Sequence, residues 1–268
     1  MPLSKIALLA SAAAMLAGNA GELGAKSTFS TKDVIEANTR ARGGAAALDS
    51  VKSIRVDSKI IEPGFEAVGR YYARADGKMR IDVFKECKRV FSEGLDDEGA
   101  WEWPASLESA RVAPEGGAKA LRHGIEFNLF GLNRYAGRGN KIDLIGREMV
   151  KGSSLYVLKV TLNDGFVTYR LVDPKSWMIV RSRDFRAYHP GIDPKQKWIE
   201  TEYFDFRKVG RVKEAFQTRT WDMTKDAVIG TGQTLQVVHN PDILPDLFSR
   251  KTQAPPLCPA TAKPGQES

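Results

Sequence analysis

Leu95-Asp96-Asp97-Glu98-Gly99-Ala100-Trp101-Glu102-Trp103-Pro104 packs a strand end, a tight turn and a second strand into ten residues. The Asp-Asp-Glu-Gly run has turn chemistry, and a strand follows it. Side chains alternate across a strand, so Trp101 and Trp103 share one face and Glu102 takes the other. The two indoles are expected to point inward and the carboxylate outward. Taken alone such a pair reads first as ordinary core, and as the wall of an apolar cavity only with the rest of the chain in view.

The same period of two extends in both directions. Upstream, Ile54, Val56 and Ile60 alternate with Arg55, Asp57 and Lys59, and Met79, Ile81 and Val83 alternate with Arg80 and Asp82. Glu62-Pro63-Gly64 and Ala75-Asp76-Gly77 mark the turns. Downstream, Tyr156, Leu158, Val160 and Leu162 lead into the turn Asn163-Asp164-Gly165, and Val167, Tyr169 and Leu171 return. Trp177 to Arg183, Trp198 to Arg207, Val212 to Trp221 and Thr231 to His239 bring the total to about eleven strands.

Two stretches break the pattern. Ser30-Thr31-Lys32-Asp33 has the form of a helix start, followed by Val34, Ala37 and Ala41 at helical spacing until Gly43-Gly44. The insertion from Ala105 to Gly139 places Leu121, Ile125 and Leu129 four residues apart, with Phe127, Phe130, Leu132 and Tyr135 beside them, which predicts one or two short helices. The fold class is therefore mainly β, a single curved antiparallel sheet, or half-barrel, covered by short helices. A sheet of so many strands curls, and helices that cover it in part leave a cavity.

Residues 1–20 have the form of a secretory signal peptide: Lys5, then the uncharged run Ile6 to Ala17, then small residues at Gly18 and Ala20. The run is short for a membrane span, and no cysteine at the cut offers a lipid attachment site. A periplasmic protein is expected, with one domain over residues 21–250 and a disordered Pro-rich tail over 251–268. Cys87 and Cys258 are able to pair in an oxidising compartment. The net charge of +7 is scattered over outward positions such as Arg55, Lys59, Arg80 and Lys159, which argues against nucleic-acid binding.

No sequence pattern for catalysis emerges. His123, His189 and His239 are far apart and lack metal-ligand spacing, so neither metal nor cofactor is expected. No Gly-x-Ser-x-Gly elbow, Walker loop or dinucleotide fingerprint occurs, and the expectation is a protein that is not an enzyme.

Leu95 to Pro104 resembles the Asp-Gly-x-x-x-Trp-x-x-x-Pro segment of the LolA/LolB-like periplasmic lipoprotein carriers. Ile145-Gly146-Arg147-Glu148-Met149-Val150-Lys151-Gly152 is similar to the Gly-x-Glu-x-Val-x-Gly hairpin of their lipoprotein-sorting relatives, and Tyr203 to Gly210 and Asn240-Pro241-Asp242 continue the order. Two departures stand out. Arg74-Ala75-Asp76-Gly77 lacks the proline of the carrier's latch segment, and Tyr188 to Pro194 has no counterpart.

The resemblance implies a cavity that receives acyl chains of a lipid or lipoprotein and hands them on, with a membrane protein as a further partner and a monomeric state. Inward positions nominate Tyr71, Met79, Ile81, Trp101, Trp103, Tyr156, Leu158, Val160 and Tyr169 as its wall, and Phe127, Leu129 and Phe130 as its lid. The alternative is a non-enzymatic envelope sensor or scaffold of the same fold that binds a protein through its outer surface or edge strands.

Overall fold

A computed structural model describes residues 29–190 and 192–257; the expected signal peptide lies outside them. Among the described residues the chain forms α1 (Thr31–Arg42), α2 (Ala45–Ser50), β1 (Ser53–Glu62), β2 (Phe65–Arg74), β3 (Met79–Lys85), β4 (Lys88–Asp96), β5 (Gly99–Pro104) and β6 (Arg111–Val112). There follow α3 (Glu115–Leu129), α4 (Leu132–Tyr135), β7 (Lys141–Val150), β8 (Ser153–Thr161), β9 (Val167–Val172), β10 (Ile179–Arg186), β11 (Lys197–Val209), β12 (Val212–Asp222) and β13 (Ala227–His239). All thirteen strands join one open sheet in the order β6-β5-β4-β3-β2-β1-β13-β12-β11-β10-β9-β8-β7. Two meanders meet where β13 seats antiparallel to β1.

This order fixes the shape. The segment carrying α3 and α4 connects one edge of the sheet, β6, to the other, β7. Twelve strand spacings of a flat sheet measure roughly 58 Å, which residues 113–140, with α3 about 22 Å long and α4 a single turn, could cover only if drawn out nearly straight. The sheet curls around α3 instead. His123 Nε2 lies 2.8 Å from Asp164 Oδ2 in the β8–β9 turn, while the next residue, Gly124, accepts a hydrogen bond at its carbonyl from the Tyr71 hydroxyl of β2 at 3.5 Å. Strands β2 and β9 are six spacings apart in the sheet, roughly 29 Å if it were flat.

The helices cover one face. Ile54, Ala73, Met79, Leu95 and Ala100 pack with Leu121, Ile125 and Leu129 of α3; Tyr156, Leu158, Val160 and Val172 pack with Val34 of α1 and with Leu132 and Tyr135 of α4. Helix α1 forms where expected, because Ser30 and Asp33 cap one another: Asp33 N–H donates to Ser30 Oγ at 3.2 Å and Ser30 N–H to Asp33 Oδ2 at 2.7 Å.

The opposite face is not solvent. Register places Tyr72, Arg80, Gly94 and Trp101 side by side there, and Arg70, Asp82, Ser92 and Trp103 beside them. Over them runs a strap from the C-terminal segment, with Leu247 and Phe248 buried against Tyr72. Arg80, fully buried, donates from Nε to both Asp82 oxygens at 2.9 Å and from Nη1 to the carbonyls of Leu247 and Thr252 at 2.8 Å each. Trp101 Nε1 donates to the Phe248 carbonyl at 3.1 Å. Gly94 leaves the room for that indole, since a Cβ there would stand 2.7 Å from Trp101 and 2.6 Å from the Met79 carbonyl.

Three expectations are corrected here. Arg80 and Asp82 are buried, because the strap covers the face that alternation leaves polar. Residues 251–257 lie along the sheet, with the Thr252 and Pro256 carbonyls accepting from Arg80 and, at 3.5 Å, Arg70; residues 258–268 lie outside the described residues. The strands number thirteen, two more than expected. Cys87 is disulfide-bonded, and Cys258 lies outside the described residues.

Because Phe248 is 2% exposed and anchors the strap, Phe248→Ala is expected to lower the unfolding free energy by about 3–5 kcal/mol. The exposed Leu244 of the same segment sets the control: Leu244→Ala should stay within about 0.5 kcal/mol of the parent in urea titrations.

Candidate functional site

The candidate site is the helix-covered face with α3 lying in it. Nine of the twelve expected wall and lid residues line two adjoining apolar groups in the curl. Met79 and Leu129 belong to the group around β1 to β5, with Tyr71 and Ile81 packed against it; Tyr156, Leu158 and Val160 belong to the group around β8 and β9. Phe127 joins the second group and Phe130 touches both. The insertion thus packs as a plug between the two halves, more than as a cover over a void.

Trp101, Trp103 and Tyr169 are elsewhere. The register that sets Tyr71, Ile81, Glu93 and Glu102 abreast beneath α3 puts both indoles on the strap side. Trp103 Nε1 donates to the Leu107 carbonyl at 2.9 Å, and the Arg89 guanidinium lies 4.8 Å from a ring centre of the same indole. Tyr169 pairs with Lys159 and Arg183 on the outer face, packs near Leu155, Val157 and Leu171, and meets the Trp198 ring at 6.2 Å. Alternation gives the grouping of residues on a strand, and here the choice of face is inverted: Glu102, expected outside, lies under the helices.

Two hollows lie near this face. One of about 350 Å³ opens beside α1 between Phe29, Ala37, Arg40, Ala41 and Trp177; another of about 40 Å³ sits between Leu48, Val51, Ala75, Leu129 and Phe130, among others. Neither is lined by Tyr71, Met79, Ile81, Leu158 or Val160.

Polar groups that the pattern does not announce sit inside the same face. Arg170 of β9, 6% exposed, stacks on Phe127 with its guanidinium carbon 4.1 Å from the ring centre. Burial opposes its charge, but the Tyr203 and Tyr135 hydroxyls and the Asp184 carboxylate outweigh this and keep it protonated. Tyr203 in turn shares a hydrogen bond with Ser182 Oγ at 3.0 Å. Tracing the register from Tyr156 to Val172 shows that Arg170 shares the face of Leu158, a signal that needs the strand pairing to be known. Burial raises the phenols of Tyr71, above its ordinary range, and of Tyr135, to about 12, so both stay neutral donors against α3 and its surroundings.

Glu93 and Glu102 face each other directly across β4 and β5. Arg111 holds Glu102 at 2.5 Å. Burial first, and the neighbouring Glu102 charge second, push the Glu93 carboxyl up to about 7. Among the described residues no helix is long and apolar enough to cross a membrane, and no group of three His, Cys, Asp or Glu side chains is placed to hold a metal ion.

No protein-family model and no curated protein sequence matches the chain. Solved structures do. A DUF1329 family protein from Desulfovibrio piger superposes with a TM-score of 0.56 at 12% identity, over 82% of this chain and 98% of that one. A LolA superfamily protein from Nitrosomonas europaea gives 0.54 at 10% identity, over 83% and 98%. An outer membrane lipoprotein-sorting protein domain from Vibrio parahaemolyticus gives 0.53 at 8% identity, over 82% and 96%. The fold is LolA-like: a curved, unclosed antiparallel sheet holding short helices.

A carboxyl whose native value is raised above its unfolded one loses stability as pH rises between the two. For Glu93 that window runs from about 4.5 to about 7, and the loss is at most on the order of 3 kcal/mol. Glu93→Gln should therefore flatten the decline in unfolding free energy between pH 5 and pH 8. Urea midpoints at the two pH values read this directly, and an unchanged slope in the variant would remove Glu93 as its source.

Proposed function

We propose that this chain is a non-enzymatic periplasmic carrier that takes the acyl chain of a lipid or lipoprotein into its curled sheet by displacing α3. The weakness of that helix carries the reading. Three of its fifteen residues are glycine (Gly116, Gly117 and Gly124), and Pro114 at its start provides no side-chain cap. Each glycine costs a helix roughly 1 kcal/mol against alanine. Helix α3 has one i,i+4 ion pair, Glu115–Lys119, whereas α1 has a reciprocal cap and two such pairs through Glu36.

Helix α3 lies against Met79 and Ile81 on one side through Leu121, Ile125 and Leu129, and reaches the Leu158 and Val160 group on the other through Phe127. Each acyl methylene withdrawn from water contributes about 0.8 kcal/mol, so a single chain replaces the contacts that the helix gives up. No covalent step is required. The likeness to LolA superfamily and lipoprotein-sorting structures supports the same reading at the level of fold.

Gly124 offers the test, because a Cβ there meets nothing within 4 Å. Gly124→Ala is expected to stabilise the protein by about 0.5–1 kcal/mol and to slow uptake of a fatty acid bearing an environment-sensitive fluorophore by roughly two- to fivefold. Native mass spectrometry of the purified protein should also show retained lipid. An empty protein that takes up no fatty acid would overturn the carrier reading and leave the scaffold in its place.

A further inference from the structure

Among the described residues, several buried side-chain atoms have no hydrogen-bond partner, and two of them are neighbours on the helix-covered face of the sheet: Arg170 Nη2 and Asp184 Oδ1. Both residues are 6% exposed. Register sets Arg170 opposite Ser182 and Asp184 opposite Thr168 on the adjacent strands β9 and β10, so the two are diagonal neighbours on one face. The Asp184 charge helps hold the Arg170 proton, yet the two side chains form no direct hydrogen bond or ion pair. The other Asp184 oxygen pairs with Arg186 Nε at 3.5 Å, and Arg170 rests on Phe127 and the Tyr203 hydroxyl.

An unpaired donor and an unpaired acceptor side by side in an apolar interior each cost the desolvation of a polar group. Native interiors rarely leave such atoms unmet. A single group that satisfies both must bring an acceptor oxygen for the guanidinium and, a few ångströms away, a hydroxyl for the carboxylate. Phe127, which lies over the guanidinium, belongs to α3 and leaves with it on the reading above.

We propose that Arg170 and Asp184 form a head-group site for amphiphiles whose polar end carries an ester or acid oxygen next to a free hydroxyl, the acyl chain lying along Leu158 and Val160. The inference rests on the carrier reading and deepens it from any acyl chain to hydroxyl-bearing head groups. Arg170 supplies a charge-assisted hydrogen bond to the carbonyl oxygen. Asp184 accepts from the hydroxyl, and the Tyr203–Ser182 pair holds the guanidinium in place.

Two esters with the same chain make the test: 1-monooleoylglycerol, which has the hydroxyls, and methyl oleate, which lacks them. The wild-type protein is expected to bind the glycerol ester at least about tenfold tighter, since a site built for a hydroxyl rejects an analogue without it. Asp184→Ala should reduce that ratio to below about threefold with methyl oleate unchanged, and Arg170→Met should weaken both esters. The comparison on wild-type protein needs no variant, so poor folding of either substitution leaves the inference exposed to refutation. Equal affinity of the wild type for the two esters overturns the head-group site while sparing the carrier. A preference that survives both substitutions overturns the assignment to these residues. Binding of neither ester overturns the carrier reading and this site with it.

Discussion

A covalent connection between the two edges of the sheet sets the terms for everything else in this fold. The chain leaves β6, passes through α3 and α4, and enters β7 at the far edge. With its helices intact, the connection of residues 113–140 could span a flat thirteen-stranded sheet only if drawn out nearly straight. The sheet wraps instead, and α3 lies inside the wrap. The contacts of His123 with the β8–β9 turn and of Gly124 with Tyr71 of β2 are the local record of that closure. The apolar helix face of Leu121, Ile125 and Leu129 matches that enclosed position.

The two faces then solve the problem of buried charge in different ways. On the strap side Arg80 is fully buried, and Asp82, Ser92 and two strap carbonyls surround it; only Nη2 lacks a partner. Breaking such a cluster from one side is costly, because it leaves a charge in low dielectric. The strap is thereby fixed by polar bonds as well as by Leu247 and Phe248. On the helix side Arg170 has an aromatic ring and a phenol but no carboxylate bonded to it. The first arrangement meets its guanidinium with a carboxylate and two carbonyls, and the second has no such bonded partner.

Much of this was legible in the residues. The strands at Ile54, Met79 and Tyr156 follow from alternation, the turns from Gly, Asn and Asp, and α3 from Leu121, Ile125 and Leu129 at intervals of four. Which face is which was not. A period of two groups Trp101 with Trp103 and sets Glu102 apart, but it assigns no direction, and large aromatics mark the core only when a single core exists. Here both faces carry apolar groups. One is built on Leu247 and Phe248, apolar residues in a segment otherwise rich in proline and polar side chains, and their partners at Tyr72, Arg80 and Trp101 lie about 150 to 175 residues earlier in the chain, a separation over which local pattern carries no information. Tyr169 was misplaced for the same reason, because Leu171 and Val157 form a further apolar group on the outer face. Arg170 was hidden by its setting between Tyr169 and Leu171, where it reads as the exposed member of an alternating strand.

The magnitudes explain why a plugged interior and a carrying role are compatible. Leu121, Ile125 and Leu129 of α3 are nearly fully buried against the sheet, and each such side chain is worth about 1.5–3 kcal/mol. Their sum is on the order of 5–9 kcal/mol. A chain of sixteen carbons placed in the same space gains on the order of 12 kcal/mol at 0.8 kcal/mol per methylene, less the cost of ordering it and of exposing the helix. The two are close enough that exchange lies within reach in either direction, and the glycines at positions 116, 117 and 124 bias it by lowering the worth of the helical state. A helix of alanines in their place would add about 3 kcal/mol to the plugged form, enough to shift the balance by more than a hundredfold. On the carrier reading, then, the poor helix propensity of the one segment that must fill the curl is what keeps the interior available.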